Sequence, residues 1–182
     1  MMSEVDVLFW IQDNLTCSIL DFLTTAVHYG LEKNIIWFVL AIVLMINKKT
    51  RKLGTVLLIA EIICTLAFSG IKIIVERPRP FINYPIELIV PEPNGYSFPS
   101  GHSTGAFAAA VTFLFFNRKI GVGLTIFAVF TAFSRMYLFV HYPTDVIAGA
   151  VLGTLSAIMA YYLVRLYYSG NGNESETQRS IE

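Results

Sequence analysis

Two histidines in this sequence stand where a histidine can do chemistry. His102 follows Pro99-Ser100-Gly101 and precedes a run, Ala106 to Phe116, that is apolar apart from Thr112. A Pro- and Asn-rich stretch, Pro91 to Gly95, lies before it, so a helix must begin near Ser100 with that serine as its N-cap. The unpaired N–H groups and positive dipole end of such a terminus make an anion site. His141 lies four residues before Asp145 across Pro143, which suits a first helical position. That spacing lets the Asp145 carboxylate accept the ring's Nδ1–H, fixing the tautomer and leaving Nε2 free to attack an electrophile. The plain alternative for the first motif is a serine cap with a histidine that merely follows it.

The elements that position these residues are membrane helices. Of 182 residues 55% are hydrophobic and only 14% charged, with a mean hydropathy of +0.61, too apolar for an ordinary soluble domain. Thirteen basic and thirteen acidic residues cancel, so no overall field points to a nucleic-acid partner. Residues 1–168 are expected to form a single transmembrane domain. Within it, residues 1–16 read as an interfacial helix, and Ser3-Glu4-Val5-Asp6 lacks the basic start of a cleavable signal peptide. Cys17 to Tyr29 is helical in period, but Asp21 and His28 leave open whether it crosses fully; His28 is expected at the interface. Asn34 to Ile46 is the first continuous apolar run, and Leu53 to Val75 is a full span, about 23 residues or roughly 34 Å of helix. Gly101 to Phe116, Ile120 to Tyr137 and Thr144 to about Tyr168 follow, and the polar stretch 169–182 is expected to be a disordered tail. Cys17 and Cys64 both read as buried packing residues without a disulfide.

Basic loops at Asn47 to Lys52 and Asn117 to Lys119 fall between helices that run in opposite directions, so they share one side. The positive-inside rule makes that side cytoplasmic. The opposite, extracytoplasmic face then gathers Lys72, Arg77, Arg79, Ser100, His102, Ser134, Arg135, His141 and Asp145. Each cation alone can be read as a side chain snorkelling to headgroups from a helix end. Together with two histidines, they are explained most economically by a bound phosphate, whose oxygens match guanidinium forks bidentately. Phosphoryl transfer needs a nucleophile, an acid for the leaving oxygen and fixed positive charge. His141 supplies the first, oriented by Asp145, and His102 the second. No cluster with metal-ligand spacing is evident, and no metal or cofactor is expected.

Lys72 with six residues before Arg79-Pro80, then Pro99-Ser100-Gly101-His102, then Ser134-Arg135 with five residues before His141 and three more before Asp145, resemble the three-part signature of the type-2 phosphatidic acid phosphatase superfamily. The resemblance covers Lys72 to Asp145 and has no departure from the pattern. It implies an all-α bundle of about six transmembrane helices and metal-independent hydrolysis of lipid phosphates through a phosphohistidine. It makes His141 the nucleophile, His102 the general acid and Asp145 the partner of His141. Lys72, Arg79 and Arg135 become the phosphate-binding cations, completed by Ser100 and the Gly101 amide. Arg77 lies outside the motif positions and is given only a supporting role toward a headgroup or diphosphate.

A site at the ends of membrane helices is reached most easily by a headgroup whose tails stay in the bilayer, so the expected partner is a lipid phosphate. Among the family's substrates, undecaprenyl diphosphate is the first choice, with phosphatidylglycerophosphate or phosphatidate as alternatives. A protein of another class, one that binds or transports a lipid phosphate without hydrolysing it, would lack the nucleophile or the acid, and both are present here. Glu61, eleven residues before Lys72 on nearly the same helix face, is expected to be neutral or bonded within the bundle.

Overall fold

The computed structural model describes residues 3–31 and 34–179, with side chains as far as Ser169. Among the described residues the chain forms eight helices and no strand: α1 (Glu4–Leu15), α2 (Ser18–Gly30), α3 (Ile35–Ile46), α4 (Arg51–Val75), the single turn α5 (Pro80–Asn83), α6 (Gly101–Phe116), α7 (Arg118–Tyr137) and α8 (Pro143–Arg179). Three segments are long and apolar enough to cross a membrane: Arg51–Asn83, Arg118–Tyr137 and Pro143–Ser169. The pair α2 and α3 meets the same measure together, bent by 59°. The protein is an all-α membrane bundle. Of the about six transmembrane helices expected, α4, α7 and α8 fall in segments long enough to span alone, whereas α2, α3 and α6 are each shorter than a full span. From Ser169 on, where a disordered tail is expected, the α8 backbone continues to Arg179; the side chains beyond Ser169 and residues 180–182 lie outside the description.

Local sequence sets the ends of the helices. Ser3 caps α1 through a reciprocal capping box with Asp6. Asn117 alone connects α6 to α7: its N–H closes the end of α6 on the Phe113 carbonyl, and its side chain accepts from Ile120 N at 3.2 Å. Such a tight connection forces α6 and α7 to lie antiparallel. At the opposite end Pro143 opens α8.

Small residues bring the helices close. Ala106, Ala109 and Ala110 of α6 pack with Trp37, Leu57 and Ala128 from α3, α4 and α7. Ala108 packs with Val56 and Cys64 of α4 and with Ala157 and Ala160 of α8. The closest approach is between α6 and α8: a Cβ added at Gly149 would stand 2.6 Å from the Ser100 carbonyl oxygen, and one at Gly153 2.1 Å from that of Thr104. With little hydrophobic drive between helices in lipid, such small-residue contacts carry the association. Here they also hold the start of α6 beside the start of α8. α1 lies apart from this packing, burying Leu8 against Phe139 and Tyr142, and Ile11 against Tyr137 to Val140.

The two cysteines differ from expectation: Cys64 is buried, whereas Cys17 is exposed at the start of α2. Glu61 is fully buried in α4, with Cys64 Sγ 3.6 Å from its Oε2. Gly153→Ala is expected to destabilise the bundle by about 1–3 kcal/mol through overpacking. Gly123→Ala, whose Cβ meets nothing within 4 Å, provides the control. Equal unfolding free energies for the two variants in detergent would contradict the close α6–α8 contact.

Candidate active site

The start of α6 is built by its own sequence and by two neighbours. Ser100 caps the helix, its Oγ accepting from Ser103 N at 3.4 Å and Ser103 Oγ at 3.1 Å, while its own N–H donates to the Asp145 carbonyl at 3.0 Å. Asn34, at the head of α3, donates from Nδ2 to the Gly101 carbonyl at 3.0 Å. Its carboxamide fills the space that a side chain at Gly105 would need. Of the two residues expected to cradle phosphate here, Ser100 is fully buried and committed to the cap, whereas Gly101 faces the cavity.

That cavity encloses about 620 Å³, and its walls include Lys72, Arg79, His102 and His141, together with His28 and Asn34. Lys72 reaches it from the last turn of α4, donating to the Tyr96 carbonyl and, at 3.4 Å, to that of Ser97. Arg79, at the N-cap of α5, donates to the carbonyls of Gly95 (2.9 Å), Asn94 (3.2 Å) and Val140 (3.0 Å). Its NH1 also lies 3.3 Å from His141 Nε2. Arg135 is buried and stands behind the cavity wall. Ser134 Oγ accepts from its Nε and NH2, and its NH1 faces His28 Nδ1 at 3.0 Å. The ion pairs among the described residues all involve Arg77, Glu4, Asp145 or His141; Lys72, Arg79 and Arg135 form none, although the Asp145 charge acts on Lys72 and Arg79 from further off and Glu92 lies on the cavity wall.

His141 follows α7 on a tight turn, with its side chain almost wholly buried. Burial drives its imidazole down to about 3, helped by the Arg79 and Lys72 cations and only partly opposed by Asp145. The ring is therefore neutral at physiological pH. Its Nδ1 lies 3.5 Å from Asp145 Oδ2, a long contact along the expected direction. Ser97 comes between them: its Oγ donates to Asp145 Oδ2 and stands 3.3 Å from His141 Nδ1. The Asp145 carboxylate also accepts from Tyr142 N at 2.8 Å and from Arg77 NH1 at 2.7 Å.

Arg77 thus serves a different group from the one expected. It bridges Asp145 and Glu4 of α1, and its guanidinium carbon stacks 3.9 Å above the Tyr142 ring. Glu4 in turn accepts from Thr144 N at 3.0 Å, so α1 braces the head of α8. His28 also differs from the interfacial residue expected: besides meeting Arg135 it stacks nearly parallel on His102, with ring centroids 6.0 Å apart. His102 Nε2, Asn34 Oδ1 and Thr65 Oγ1, all on residues lining the cavity, are buried and lack a hydrogen-bond partner among the described residues. Sequence reasoning missed Ser97, Asn34 and Glu4 as parts of the site; only topology brings them there.

A family model for the PAP2 superfamily matches residues 49–168, which includes every one of the motif positions. The chain belongs to the PAP2 superfamily. It is 39% identical over 132 residues to an undecaprenyl-diphosphatase of Sulfolobus acidocaldarius, covering 69% of this chain and 61% of that one. The chain therefore spans less than two thirds of that relative's length. Two solved PAP2-like folds superpose well. The crystal structure of Aquifex aeolicus LpxE gives a TM-score of 0.76 at 28% identity, covering 86% of this chain and 93% of that one. A transmembrane PAP2-type phosphatidylglycerolphosphate phosphatase from Bacillus subtilis gives 0.65 at 27%, covering 85% and 79%.

The buried, neutral His141 carries a sign for stability. With a folded value near 3 and an ordinary value of 6.5, the unfolded chain takes up the proton first, so this residue costs stability as pH falls below about 6.5 and nothing above it. The wild-type melting temperature should fall more between pH 7 and pH 5 than that of His141→Gln. Equal falls would show that His141 is not held neutral.

Proposed function

We propose that this protein hydrolyses a lipid phosphate or diphosphate in the membrane, without a metal, through a phosphohistidine on His141. The carrying observation is that Lys72 and Arg79 line one cavity with His102 and His141, with Arg135 buried behind His28, and that none of the three cations forms an ion pair among the described residues. An anion is what such a set lacks. His141 Nε2 would form the N–P bond as the bond from phosphorus to the leaving oxygen breaks, and His102 Nε2 would deliver the proton to that oxygen. Water then attacks phosphorus, the P–N bond breaks and phosphate leaves, with His102 taking the water's proton. Lys72, Arg79 and Arg135 neutralise the charge that builds on the equatorial oxygens, and the Gly101 amide at the positive end of α6 assists. Arg79, which faces Nε2 in the resting site, turns to the phosphate when substrate enters.

Undecaprenyl diphosphate is the favoured substrate, supported by the named activity of the Sulfolobus relative. Phosphatidylglycerophosphate is the second reading, supported by the Bacillus structural neighbour. Purified protein in EDTA, given undecaprenyl diphosphate, phosphatidylglycerophosphate and phosphatidate at equal mole fraction in mixed micelles, should release phosphate fastest from the first. His141→Ala should release none. A strong preference for a glycerophospholipid overturns the substrate, and no hydrolysis of any of the three would favour a lipid-phosphate binder.

The site is assigned to the extracytoplasmic face of the cell membrane, supported by the basic connections 47–52 and 117–119 at the opposite ends of the helices. An Asn94→Cys variant, made in a Cys17→Ser background because Cys17 is exposed, should react with an impermeant maleimide in intact cells. Reaction only after permeabilisation reverses the orientation.

A further inference from the structure

The geometry points to Ser97 as the residue that orients the nucleophile: its hydroxyl stands between His141 and Asp145, closer to each than they are to one another, and relays a hydrogen bond from one to the other. The inference rests on His141 being the nucleophile. It assigns Ser97 a part outside the motif positions.

Hydrogen-bond polarity carries it. A serine hydroxyl has one proton to give. Ser97 Oγ spends that proton on Asp145 Oδ2, so toward His141 Nδ1, at 3.3 Å, it can only accept. The imidazole must then carry its proton on Nδ1. The other side of the ring gives the same answer independently. Arg79 NH1, a donor that cannot become an acceptor, faces Nε2 at 3.3 Å, so Nε2 must present its lone pair. Two neighbours on opposite edges thus select one tautomer, the one in which Nε2 can attack phosphorus. The direct contact from Nδ1 to Asp145 Oδ2, at 3.5 Å, is longer than the one to Ser97 Oγ and favours the same tautomer.

Ser97 is itself held firmly. It is fully buried, and its N–H donates to the Arg77 carbonyl at 2.8 Å. Asp145 is pinned by Tyr142 N and by Arg77, so the acceptor does not drift from the hydroxyl. As phosphorus bonds to Nε2 the ring gains positive charge. The chain Nδ1–H to Ser97 Oγ–H to Asp145 then places a carboxylate at its far end, with no proton leaving the ring. Ser97 touches neither phosphorus nor the leaving group, so it is a positioning residue.

The test combines kinetics with a direct view of the tautomer. Groups that orient a histidine through its second nitrogen typically account for about 10–100-fold in activity. Ser97→Ala should lose kcat within that range with KM changed little, and Ser97→Thr, which keeps the hydroxyl, should recover most of it. Nitrogen NMR of histidine-labelled protein in detergent should show wild-type His141 as the Nδ1–H tautomer near neutral pH and a mixture of tautomers in Ser97→Ala. Wild-type kcat in Ser97→Ala, alongside an inactive His141→Ala, overturns the relay and leaves the nucleophile standing. An Nε2–H tautomer in the wild type overturns the relay even if Ser97→Ala does not fold. Turnover retained by His141→Ala removes the nucleophile, and the relay with it.

Discussion

Positive charge that forms no ion pair at the end of an apolar bundle is unfavourable until an anion joins it, and that imbalance organises this molecule. Lys72, Arg79 and Arg135 come from three different helical segments, and each is held by backbone carbonyls, a hydroxyl or an imidazole. Neutral oxygens satisfy the N–H groups without cancelling the charge. They keep the cations in place while leaving them available to a phosphate, which would bond to them more strongly. Asp145, whose charge reaches Lys72 and Arg79, makes its short contacts instead with Arg77, Ser97 and the Tyr142 amide. Two charge systems therefore lie side by side: an ion-paired one, Glu4–Arg77–Asp145, that orients His141, and a second one without ion pairs that awaits substrate.

The fold keeps the two in register through close backbone contact. Gly149 and Gly153 let α8 approach α6 until the Ser100 N–H reaches the Asp145 carbonyl. One contact thus fixes the start of the helix bearing His102 against the start of the helix bearing Asp145. The loop from Arg77 to Pro99 then wraps both, presenting its carbonyls to Lys72 and Arg79 and the Ser97 hydroxyl to Asp145. α1 adds a brace from outside through Glu4, Arg77 and Thr144. Membrane helices give the scaffold its stiffness, and the loop supplies much of the polar chemistry.

Much of this was legible from the chain. Apolar runs bounded by Pro99-Ser100, Asn117 and Pro143 gave helices whose observed ends differ by a residue or two, because caps and breakers act locally; the exception is the far end of α8, which has no such breaker and runs on to Arg179. The convergence of Lys72, Arg79, His102, Arg135, His141 and Asp145 followed from alternating helix direction together with the family's motif spacing. What escaped was contact across the bundle. Nothing local about His28 or Asn34 announces that one meets Arg135 and the other clamps the first turn of α6. Cys17 reads as buried because its neighbours are apolar, yet it stands in the open connection between α1 and α2. Arg77 was misread because its sequence neighbours are cations of the phosphate set, while its partners, Glu4 and Asp145, lie 73 and 68 residues away. The His141–Asp145 pair was legible from its spacing, whereas Ser97, which stands between them, was not, because it comes from a loop 44 and 48 residues earlier.

The central claim is that phosphorus passes through His141, by two displacements and not one. The stereochemical course at phosphorus tests this most directly, using a lipid substrate with a chiral, isotopically labelled terminal thiophosphate hydrolysed in isotopically labelled water. Two in-line displacements predict net retention of configuration in the released thiophosphate. Net inversion would mean that water attacks the substrate directly, and would contradict a nucleophilic His141.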